Sequence, residues 1–308
     1  MTEQASDPPD DPVAENQAAE RPAVPTAHAT GLTLVATPIG HLGDLSPRAL
    51  AALREADAVL CEDSRVTGAL LARHGVSVTL IPLHEHNEDA QTPRVLARLA
   101  AGQRVALVSD AGTPLVSDPG YRLVRAAIAA GLHVTAVPGP NAAVTALTLS
   151  GLPPHPFLFH GFLPAKGAAR AAEIGRLRAA ERAGLRATLI FYEAPHRLGE
   201  MLEALAEGLG ADRPAAVARE LTKRFEEVRR ASLAELAEWY GREAARGEVV
   251  VVVGPAPEEA APEEELEARL RAALAAGMSL RDAAAMVAEA TGLPRKQVYA
   301  RALEMGRG

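Results

Sequence analysis

The residues best suited to chemistry lie in a polar loop, Ser109-Asp-Ala-Gly-Thr-Pro-Leu-Val-Ser-Asp-Pro-Gly120, which follows a short apolar run. Asp110, Thr113 and Asp118 supply carboxylate and hydroxyl groups, while the glycines and prolines fix the backbone shape. The loop has no lysine and lacks the G-x-x-x-x-G-K-[ST] pattern that binds triphosphates. Its groups therefore suit a ligand with hydroxyl groups and a positive centre rather than a bare phosphate.

Three further loops of similar character follow predicted strands, at residues 37–40, 62–65 and 138–141. In an open α/β sheet, ligands bind beyond the carboxyl ends of the strands. One such loop is easily coincidental, but four at the same sheet edge indicate a binding site. Gly40 would let the first loop approach a ligand closely, and free N–H groups after Pro140 could hold a carboxylate.

The loop at residues 62–65 holds the candidate general bases. Glu62 or Asp63 could accept the proton of a substrate hydroxyl, given suitable geometry and pKa. Equally, Asp63 or Ser64 could cap the helix that follows. The sequence leaves both roles open.

Strands alternate with helices over the first half of the chain, which predicts a parallel sheet with right-handed crossovers. Ser46 and Pro47 have the residue types of an N-cap and a first helical position. The predicted strands are residues 32–36, 58–61, 76–81, 104–108 and 133–137, and the predicted helices include 46–55, 93–101 and 119–130.

The second half follows a different order and predicts a mixed sheet. Two strands flank residues 220–224 without the long crossover that a parallel pair needs. The predicted strands are 157–159, 188–192, 216–218, 226–230 and 249–253, with helices at 197–207 and 233–245. Three terminal helices, at 265–275, 279–290 and 295–305, have the apolar spacing of a helix-turn-helix.

This pattern predicts two α/β domains followed by a small helical module. The first residues are rich in Pro, Ala, Asp and Glu without apolar periodicity, which is typical of a disordered tail. The predicted ranges are a tail at 1–30, α/β domains at 31–142 and 143–254, an acidic linker at 255–264 and the helical module at 265–308.

Composition narrows the functional classes. A single cysteine, Cys61, excludes an internal disulfide and fits a reducing cytoplasm. No apolar segment is long enough for a membrane span, and we expect a cytoplasmic protein. A net charge of −7 by itself disfavours a nucleic-acid partner, but twelve acidic residues lie in residues 1–20 and 257–268. Without them the chain is mildly basic, which leaves an RNA partner possible.

Three other groups of residues each have more than one interpretation. His84 and His86 resemble metal ligands, but no matched Cys or His partners follow, so we expect no metal there. The cations of the second half could contact phosphates or could form an ordinary solvated surface. The cations on the last helix, Arg295, Lys296 and Arg301, could touch nucleic acid or belong to a dimer contact.

Taken together, the motifs resemble those of the tetrapyrrole methylase superfamily, and within it the bacterial small-subunit ribosomal RNA cytidine 2′-O-methyltransferases. They occur in the family's order between residues 32 and 254. The matching motifs are Thr37-Pro-Ile-Gly40, Glu62-Asp-Ser-Arg65, His84-Glu-His-Asn-Glu88, Ser109-Asp-Ala-Gly-Thr-Pro114, Asp118-Pro-Gly120, Pro138-Gly-Pro140, Gly161-Phe-Leu-Pro164, Phe191-Tyr-Glu193, His196-Arg197 and Arg219-Glu-Leu-Thr-Lys223.

The resemblance implies the class III methyltransferase fold, with S-adenosylmethionine in a cleft between the two α/β domains. It also implies a homodimer that methylates a decoding-centre cytidine of 16S ribosomal RNA, as free RNA or in the 30S subunit, without a metal. The implied cofactor contacts are Pro38, Asp110, Ala111, Gly112, Thr113, Val116, Asn141, Ala142 and Tyr192. The candidate proton acceptors are Asp63 and Glu62, then Glu193 and Lys166, and the candidate RNA contacts are Arg65, Arg197, Arg219 and Lys223.

The chain departs from the family pattern at His41, where the family usually has Asn, and at Ser64, which keeps the hydroxyl of the usual Thr. Two alternatives stay open. A small-molecule methyltransferase acting on a tetrapyrrole-like acid would not need the terminal helices. A non-catalytic nucleic-acid-binding protein would not explain four ligand loops at one sheet edge.

Overall fold

The computed structural model describes residues 30–257, 263–291 and 293–305, with side chains from 266 onward in the first terminal helix. Nearly all of the predicted tail at 1–30, and the middle of the predicted acidic linker, lie outside the described residues. The described chain contains two five-stranded sheets, and no helix in it is long and apolar enough to cross a bilayer.

The first sheet is parallel, as predicted, and its strand order is β3-β2-β4-β1-β5. Its strands are β1 (Gly31–Val35), β2 (Ala58–Cys61), β3 (Leu80–Pro82), β4 (Arg104–Val108) and β5 (Val134–Val137). The helices between and after them are α1 (Pro47–Glu55), α2 (Ser64–Arg73), α3 (Glu88–Ala100), α4 (Tyr121–Ala129) and α5 (Ala142–Ser150).

Two separate hydrophobic clusters show that the helices cover both faces of this sheet. Leu53 of α1 and Leu71 of α2 pack in one cluster, whereas Leu99 of α3 and Leu123 of α4 pack in the other. The neighbouring strands β1 and β4 are thus followed by helices on opposite faces. Such a switch point leaves a crevice at the carboxyl ends of the two strands, where doubly wound folds bind their ligands.

Two predicted elements of the first sheet are wrong in extent. The third strand begins at Leu80 rather than at residue 76, and α3 begins at Glu88 rather than at Pro93. Proline commonly opens a helix, which suggested the later start. The helix instead contains Pro93, which cannot donate a backbone hydrogen bond to the preceding turn. Glu88 and Asp89 ahead of it place favourable negative charge at the helix N-terminus.

The second sheet has the order β6-β7-β10-β8-β9. The pair β6 and β7 is parallel, while only residues 220–226 join the neighbours β8 and β9, too few for a parallel crossover. Its strands are β6 (Phe157–Phe162), β7 (Thr188–Glu193), β8 (Pro214–Arg219), β9 (Glu227–Ser232) and β10 (Val249–Val253), and its helices are α6 (Gly167–Arg182), α7 (Leu198–Leu209) and α8 (Leu233–Arg242).

Helix α6 was not predicted, because the residues on its buried side do not form a continuous apolar stripe in the sequence. Arg170 and Glu181 are both buried on it beside Ile174 and Leu177. Each charge has a partner: Arg170 pairs with Glu200 at 3.3 Å, and Glu181 pairs with the buried Arg213. Buried charges survive when they are paired, but they conceal the helical periodicity.

By its internal contacts the chain divides into two compact units. The first holds residues up to Leu149 together with 218–228 and 246–250, and the second holds 150–217, 229–245 and the rest of the chain from 251. No local pattern in the sequence indicates that these two late segments return to the first unit. The loop joining β8 to β9 therefore belongs with the first sheet and the loops at its carboxyl edge.

The terminal helices α9 (Glu263–Ala275), α10 (Leu280–Thr291) and α11 (Arg295–Met305) form the predicted helical module. They share a small core of their own. Its buried members are Leu266, Leu270, Ala284, Val287, Ala288, Val298 and Ala302.

Candidate functional site

The loops that follow β1 and β4 are joined directly at the switch point. The N–H of Thr37 donates to the carbonyl of Gly112 at 2.9 Å, and the N–H of Gly112 donates to the carbonyl of Thr37 at 3.1 Å. The Thr37 hydroxyl also donates to the carbonyl of Ser109 at 3.0 Å. Three hydrogen bonds thus hold the two loops in one fixed arrangement.

Position 112 needs a glycine for two reasons, its backbone conformation and the close packing around it. Its φ of +89° is disfavoured for residues with a side chain, and an added Cβ would lie 3.2 Å from Cγ2 of Ile39. Leu115 and Ser117 adopt positive φ angles of 71° and 66° in the same loop. Strained non-glycine residues of this kind persist where the surrounding structure enforces them, and they cluster at ligand sites.

A pocket of about 260 Å³ lies between these loops and one side of α2. Its walls are mainly apolar, with one carboxylate and one guanidinium. The lining residues are Pro38, Ile39, Gly40, Leu42, Val66, Ala69, Leu70, Arg73, Asp110 and Ala111. Pro38, Asp110 and Ala111 were predicted to contact a cofactor, and the structure brings these three together in one pocket.

The fourth predicted loop closes against the others. The hydroxyl of Thr113 donates to the carbonyl of Pro140 at 3.0 Å, and a Cβ on Gly139 would lie only 2.9 Å from Cβ of Ala36. Asn141 Oδ1 accepts the N–H of Val144 at 3.1 Å, so Asn141 caps α5, the helix that begins at Ala142. The loops after β1, β4 and β5 are therefore in contact, as their positions at one sheet edge predict.

Carboxylates concentrate at the same edge. Asp110 Oδ1 accepts the backbone N–H of Asp63 at 3.1 Å. Partial desolvation, then the charges of Asp110 and Glu85, raise the pKa of Glu62, whose side chain still reaches solvent. Burial raises the pKa of Asp118 to about 6; a hydrogen bond with Ser109 opposes this rise, and the charges of Glu62 and Asp110 add to it. The combined negative charge favours a cationic ligand.

Asp118 was expected only as one of the polar groups of this loop, and not among the named cofactor contacts or proton acceptors. Its type and its place in the polar loop were visible, but the burial that perturbs its pKa depends on the folded environment. The one sequence signal that could have indicated a site role for Asp118 is its position between an apolar strand and the Pro119-Gly120 pair.

Asp63 has a structural role that argues against its prediction as the proton acceptor. Its carboxylate caps α2 by accepting the N–H of Arg65 at 2.8 Å. It also forms an ion pair with the Arg65 guanidinium at 2.6 Å. These hydrogen bonds from Arg65 lower the pKa of Asp63 to about 2, which makes it a weak base. Glu62, exposed and with a raised pKa, has the better properties for that role.

Glu193 is likewise committed to structure in the second unit. Its side chain is fully buried and pairs with Arg197 at 3.0 Å, and it accepts the N–H of Ala194 at 2.8 Å. Arg197 also donates to the carbonyl of Leu163 at 2.9 Å. Glu193 and Arg197 therefore hold the end of β7 to the segment after β6, and Glu193 is not available as a solvent-facing base.

The remaining second-unit candidates differ in their surroundings. Lys166 is exposed at the N-cap position of α6. Tyr192 contacts two aromatic rings edge-on, with ring centroids 5.0 Å from Phe159 and 5.7 Å from Phe162.

Arg219 and Lys223 lie in the first unit and both have acidic partners. Arg219 pairs with Glu227 at 2.5 Å, and Lys223 pairs with Glu220 at 2.9 Å and Glu248 at 3.2 Å. A phosphate would have to displace these carboxylates. Arg65, whose side chain is 89 % exposed, is the most accessible of the predicted RNA contacts.

The histidine motif forms a turn and a helix start. Asn87 Oδ1 accepts the N–H of His84 at 2.9 Å, and the buried Glu88 accepts the N–H of Leu123 at 3.1 Å. Among the described residues, no group of three or more His, Cys, Asp or Glu could hold a metal ion. Glu88 thus joins the start of α3 to the start of α4, a role that nothing in the sequence indicated.

Two family models match the chain. The model described as tetrapyrrole (corrin/porphyrin) methylases matches residues 31–237, which include all four loops of the site. The model described as the RsmI C-terminal HTH domain matches residues 260–306, where α9 to α11 lie.

Similar proteins cover almost the whole chain. A protein of Mesorhizobium japonicum named ribosomal RNA small subunit methyltransferase I is 49 % identical over 275 residues, covering 89 % of this chain and 92 % of the relative. A protein of the same name from Xylella fastidiosa is 48 % identical over 270 residues, covering 87 % and 97 %.

Among solved structures, the crystal structure of the methyltransferase CobJ is 26 % identical with a TM-score of 0.54, covering 74 % of this chain and 95 % of that one. The doubly wound first sheet and its switch-point loops indicate the same fold as these matches. The chain belongs to the tetrapyrrole (corrin/porphyrin) methylase family, and within it to the group whose members are named ribosomal RNA small subunit methyltransferase I.

Proposed function

We propose that this protein transfers the methyl group of S-adenosylmethionine to the 2′-hydroxyl of a cytidine in 16S ribosomal RNA, at position 1402 in the decoding centre. The observation that carries the proposal is the identity of 48–49 % to ribosomal RNA small subunit methyltransferases over nearly the full length of both chains. The match of the terminal helices to the RsmI C-terminal HTH domain supports the RNA substrate over a small molecule.

The switch-point pocket fits part of the cofactor. Its volume of about 260 Å³ is near the lower end of small-molecule sites, which span roughly 300–1,000 Å³. The apolar side chains of Ile39, Leu42 and Val66 suit a flat base, whereas Asp110 suits hydroxyl or cationic groups. When bound, S-adenosylmethionine supplies an electrophilic methyl group on a positively charged sulfur.

The other cofactor contacts are proposed from the family motif. Gly112, Thr113 and Val116 continue the loop from Asp110, and Asn141 and Ala142 begin α5 beside it. Tyr192 in the second unit is a contact on the same basis. In this proposal the carboxylates of Asp110, Glu62 and Asp118 complement the positive charge of the cofactor.

Proton transfer from the ribose hydroxyl is the step that needs a protein group. A hydroxyl is almost wholly protonated at neutral pH, so an oriented base must accept its proton as the new C–O bond forms. We assign this role to Glu62, since Asp63 is a helix cap with a pKa near 2 and Glu193 is buried in an ion pair. Lys166 remains as a further group in the second unit.

The RNA backbone would be held by cations. Arg65 is exposed and follows Glu62 by three positions, so it is our first candidate for a phosphate contact. Arg219, Lys223 and Arg197 could contribute only by exchanging their carboxylate partners for phosphate. We also propose a homodimeric, cytoplasmic enzyme that acts on the RNA as free chain or in the 30S subunit.

Transfer of labelled methyl from S-adenosylmethionine tests the proposal. The acceptors are small ribosomal subunits that lack the modification, the naked RNA and a porphyrinoid acid. We expect label on a cytidine ribose of the subunit or RNA, and a loss of at least about 100-fold in kcat for Glu62→Gln with unchanged cofactor affinity. Label on the porphyrinoid alone would favour the small-molecule alternative, and no cofactor binding would exclude both enzymatic functions.

A further inference from the structure

The loop that joins β8 to β9, residues 220–226, is here called the β8–β9 loop. It carries Phe225, which is 65 % exposed, the highest exposure of any large apolar side chain in the described part of the chain. Aromatic residues make up only 3 % of the protein. A single exposed apolar side chain is ordinary, and Tyr121 and Ile128 are almost as exposed, so a binding role for Phe225 depends on the groups beside it.

Arg224 lies over the ring of Phe225, with its guanidinium carbon 5.5 Å from the ring centroid. Within the described residues, Arg224 is exposed and has no carboxylate partner, in contrast to Arg219 and Lys223 beside it. The pair therefore offers a flat aromatic face and an uncompensated positive charge at one position. Both parts attract a flat, electron-rich ring attached to an anionic backbone.

The backbone of the β8–β9 loop is held in a strained shape. Glu220 and Thr222 have positive φ angles of 50° and 64° without being glycines. The N–H of Thr222 donates to Oε2 of Glu226 at 2.6 Å, and the N–H of Glu220 donates to the carbonyl of Glu248 at 3.0 Å. Strain of this kind persists only where neighbouring bonds enforce it, so the loop tip is fixed before any partner binds.

The same loop lies directly against the switch-point pocket. The N–H of His41 donates to the hydroxyl of Thr222 at 3.0 Å. A Cβ on Gly40 would lie 2.5 Å from Cγ of Lys223 and 2.7 Å from Oγ1 of Thr222. Gly40 lines the pocket, so the residues just before Arg224 and Phe225 form contacts at the pocket wall. The close packing also explains why position 40 needs a glycine.

We propose that Arg224 and Phe225 form a stacking platform for an unpaired nucleobase of the RNA substrate, beside the site of methyl transfer. Proteins recognise single-stranded RNA by stacking its bases on aromatic rings and on guanidinium planes. A base held on this platform would place its ribose near the pocket wall at Gly40. The inference rests on the proposed function, because it specifies how that function's RNA is held.

The first test is photocrosslinking, which does not depend on activity. The full-length protein is mixed with a short single-stranded RNA that carries 5-iodocytidine at the target position, and is then irradiated. We expect mass spectrometry to find the crosslink on Phe225, and to find it lost in Phe225→Ala. Crosslinks confined to other residues, or no crosslink, would overturn the platform.

The second test is kinetic and uses three variants. We expect Phe225→Ala to raise the KM for RNA about ten-fold or more and to leave the affinity for S-adenosylmethionine within about two-fold of the wild-type value. We expect Phe225→Trp, which keeps an aromatic ring, to restore the KM for RNA. The control is Ile128→Ala, which removes another exposed apolar side chain, on α4. An unchanged KM in Phe225→Ala would reject the platform while the enzyme still methylates RNA. Failure of the proposed function would instead appear as wild-type protein that binds cofactor and methylates no RNA.

Discussion

The backbone N–H of Asp63 donates to Oδ1 of Asp110, with 3.1 Å between nitrogen and oxygen. The bond joins residues 47 positions apart and ties the loop after β2 to the loop after β4. Asp110 also lines the switch-point pocket, so one carboxylate both joins two loops and faces the pocket. Those two contributions can be separated by substitution.

Asp110→Asn keeps an oxygen that can accept the Asp63 N–H but removes the charge, whereas Asp110→Ala removes both. We expect the Asn variant to unfold at the wild-type temperature and to bind S-adenosylmethionine about ten-fold more weakly or worse. The Ala variant should lose both affinity and thermal stability. Titration calorimetry and thermal unfolding make the comparison, and equal stability of the two variants would show that the loop contact is unimportant.

Gly112→Ala tests the crowding at the joined loops. A Cβ at Gly112 meets Ile39 at 3.2 Å, whereas Gly131 has a positive φ of 70° and no atom within 4 Å of its added Cβ. Both substitutions impose backbone strain of about 1 kcal/mol. We expect Gly112→Ala to cost about 1 kcal/mol more than Gly131→Ala in urea unfolding, and it alone should weaken cofactor binding. Matching losses in the two variants would mean that the Ile39 contact relaxes freely.

Asp118 should make stability depend on pH. Its pKa is raised from 3.8 to about 6 in the folded protein, so between those values the folded state binds more protons than the unfolded state. The free energy of unfolding from this group therefore falls as pH rises from about 4 to about 6 and is level above that. Asp118→Asn removes the titration.

For the Asn variant we expect a gain on the order of 1–2 kcal/mol at pH 7 and a flatter profile between pH 4 and 6. Urea unfolding of both proteins across that range measures the difference. A wild-type profile whose slope is retained in the variant would assign the titration to another group.

The buried pair of Arg213 and Glu181 provides a prediction for the second unit. Their side chains are 1 % and 2 % exposed, and Arg213 also donates to the carbonyl of Gly254 at 2.8 Å. Glu181→Gln leaves an uncompensated buried charge, which costs about 3–5 kcal/mol. Glu238→Gln, in the exposed pair with Arg242, should cost no more than about 0.5 kcal/mol.

Urea unfolding compares these two variants directly. Comparable stabilities of the Gln variants would mean that water or local rearrangement compensates the charge of Arg213. Because the pair lies outside the pocket lining, S-adenosylmethionine affinity serves as the control for an intact fold.

Local patterns in the sequence were enough to predict the five parallel strands of the first sheet and the polar loops that follow them. Apolar strands and the turn residues after them are short-range signals, and parallel strands bring such loops to one edge. For Asp63 the sequence allowed either a helix cap or a general base, because a carboxylate just before a helix is compatible with both roles. Only the folded contacts with Arg65 distinguish them.

Other features depend on contacts between distant segments and were not predictable. The return of residues 218–228 to the first unit places Thr222 against His41, and no local pattern at either position encodes that approach. Helix α6 was missed because Arg170 and Glu181 occupy its buried side. The raised pKa of Asp118 similarly arises from its folded surroundings.

The reciprocal hydrogen bonds between Thr37 and Gly112 have a dynamic consequence. Each amide hydrogen is protected by the other residue's carbonyl, so neither loop can expose its amide to solvent without releasing the other. The two amides should therefore open together and show the same protection factor, that is, the same slowing of exchange relative to each amide's own unprotected rate. A ligand that fills the neighbouring pocket should slow both equally, which makes this pair of backbone hydrogens a built-in reporter of occupancy that needs no label and no substrate turnover.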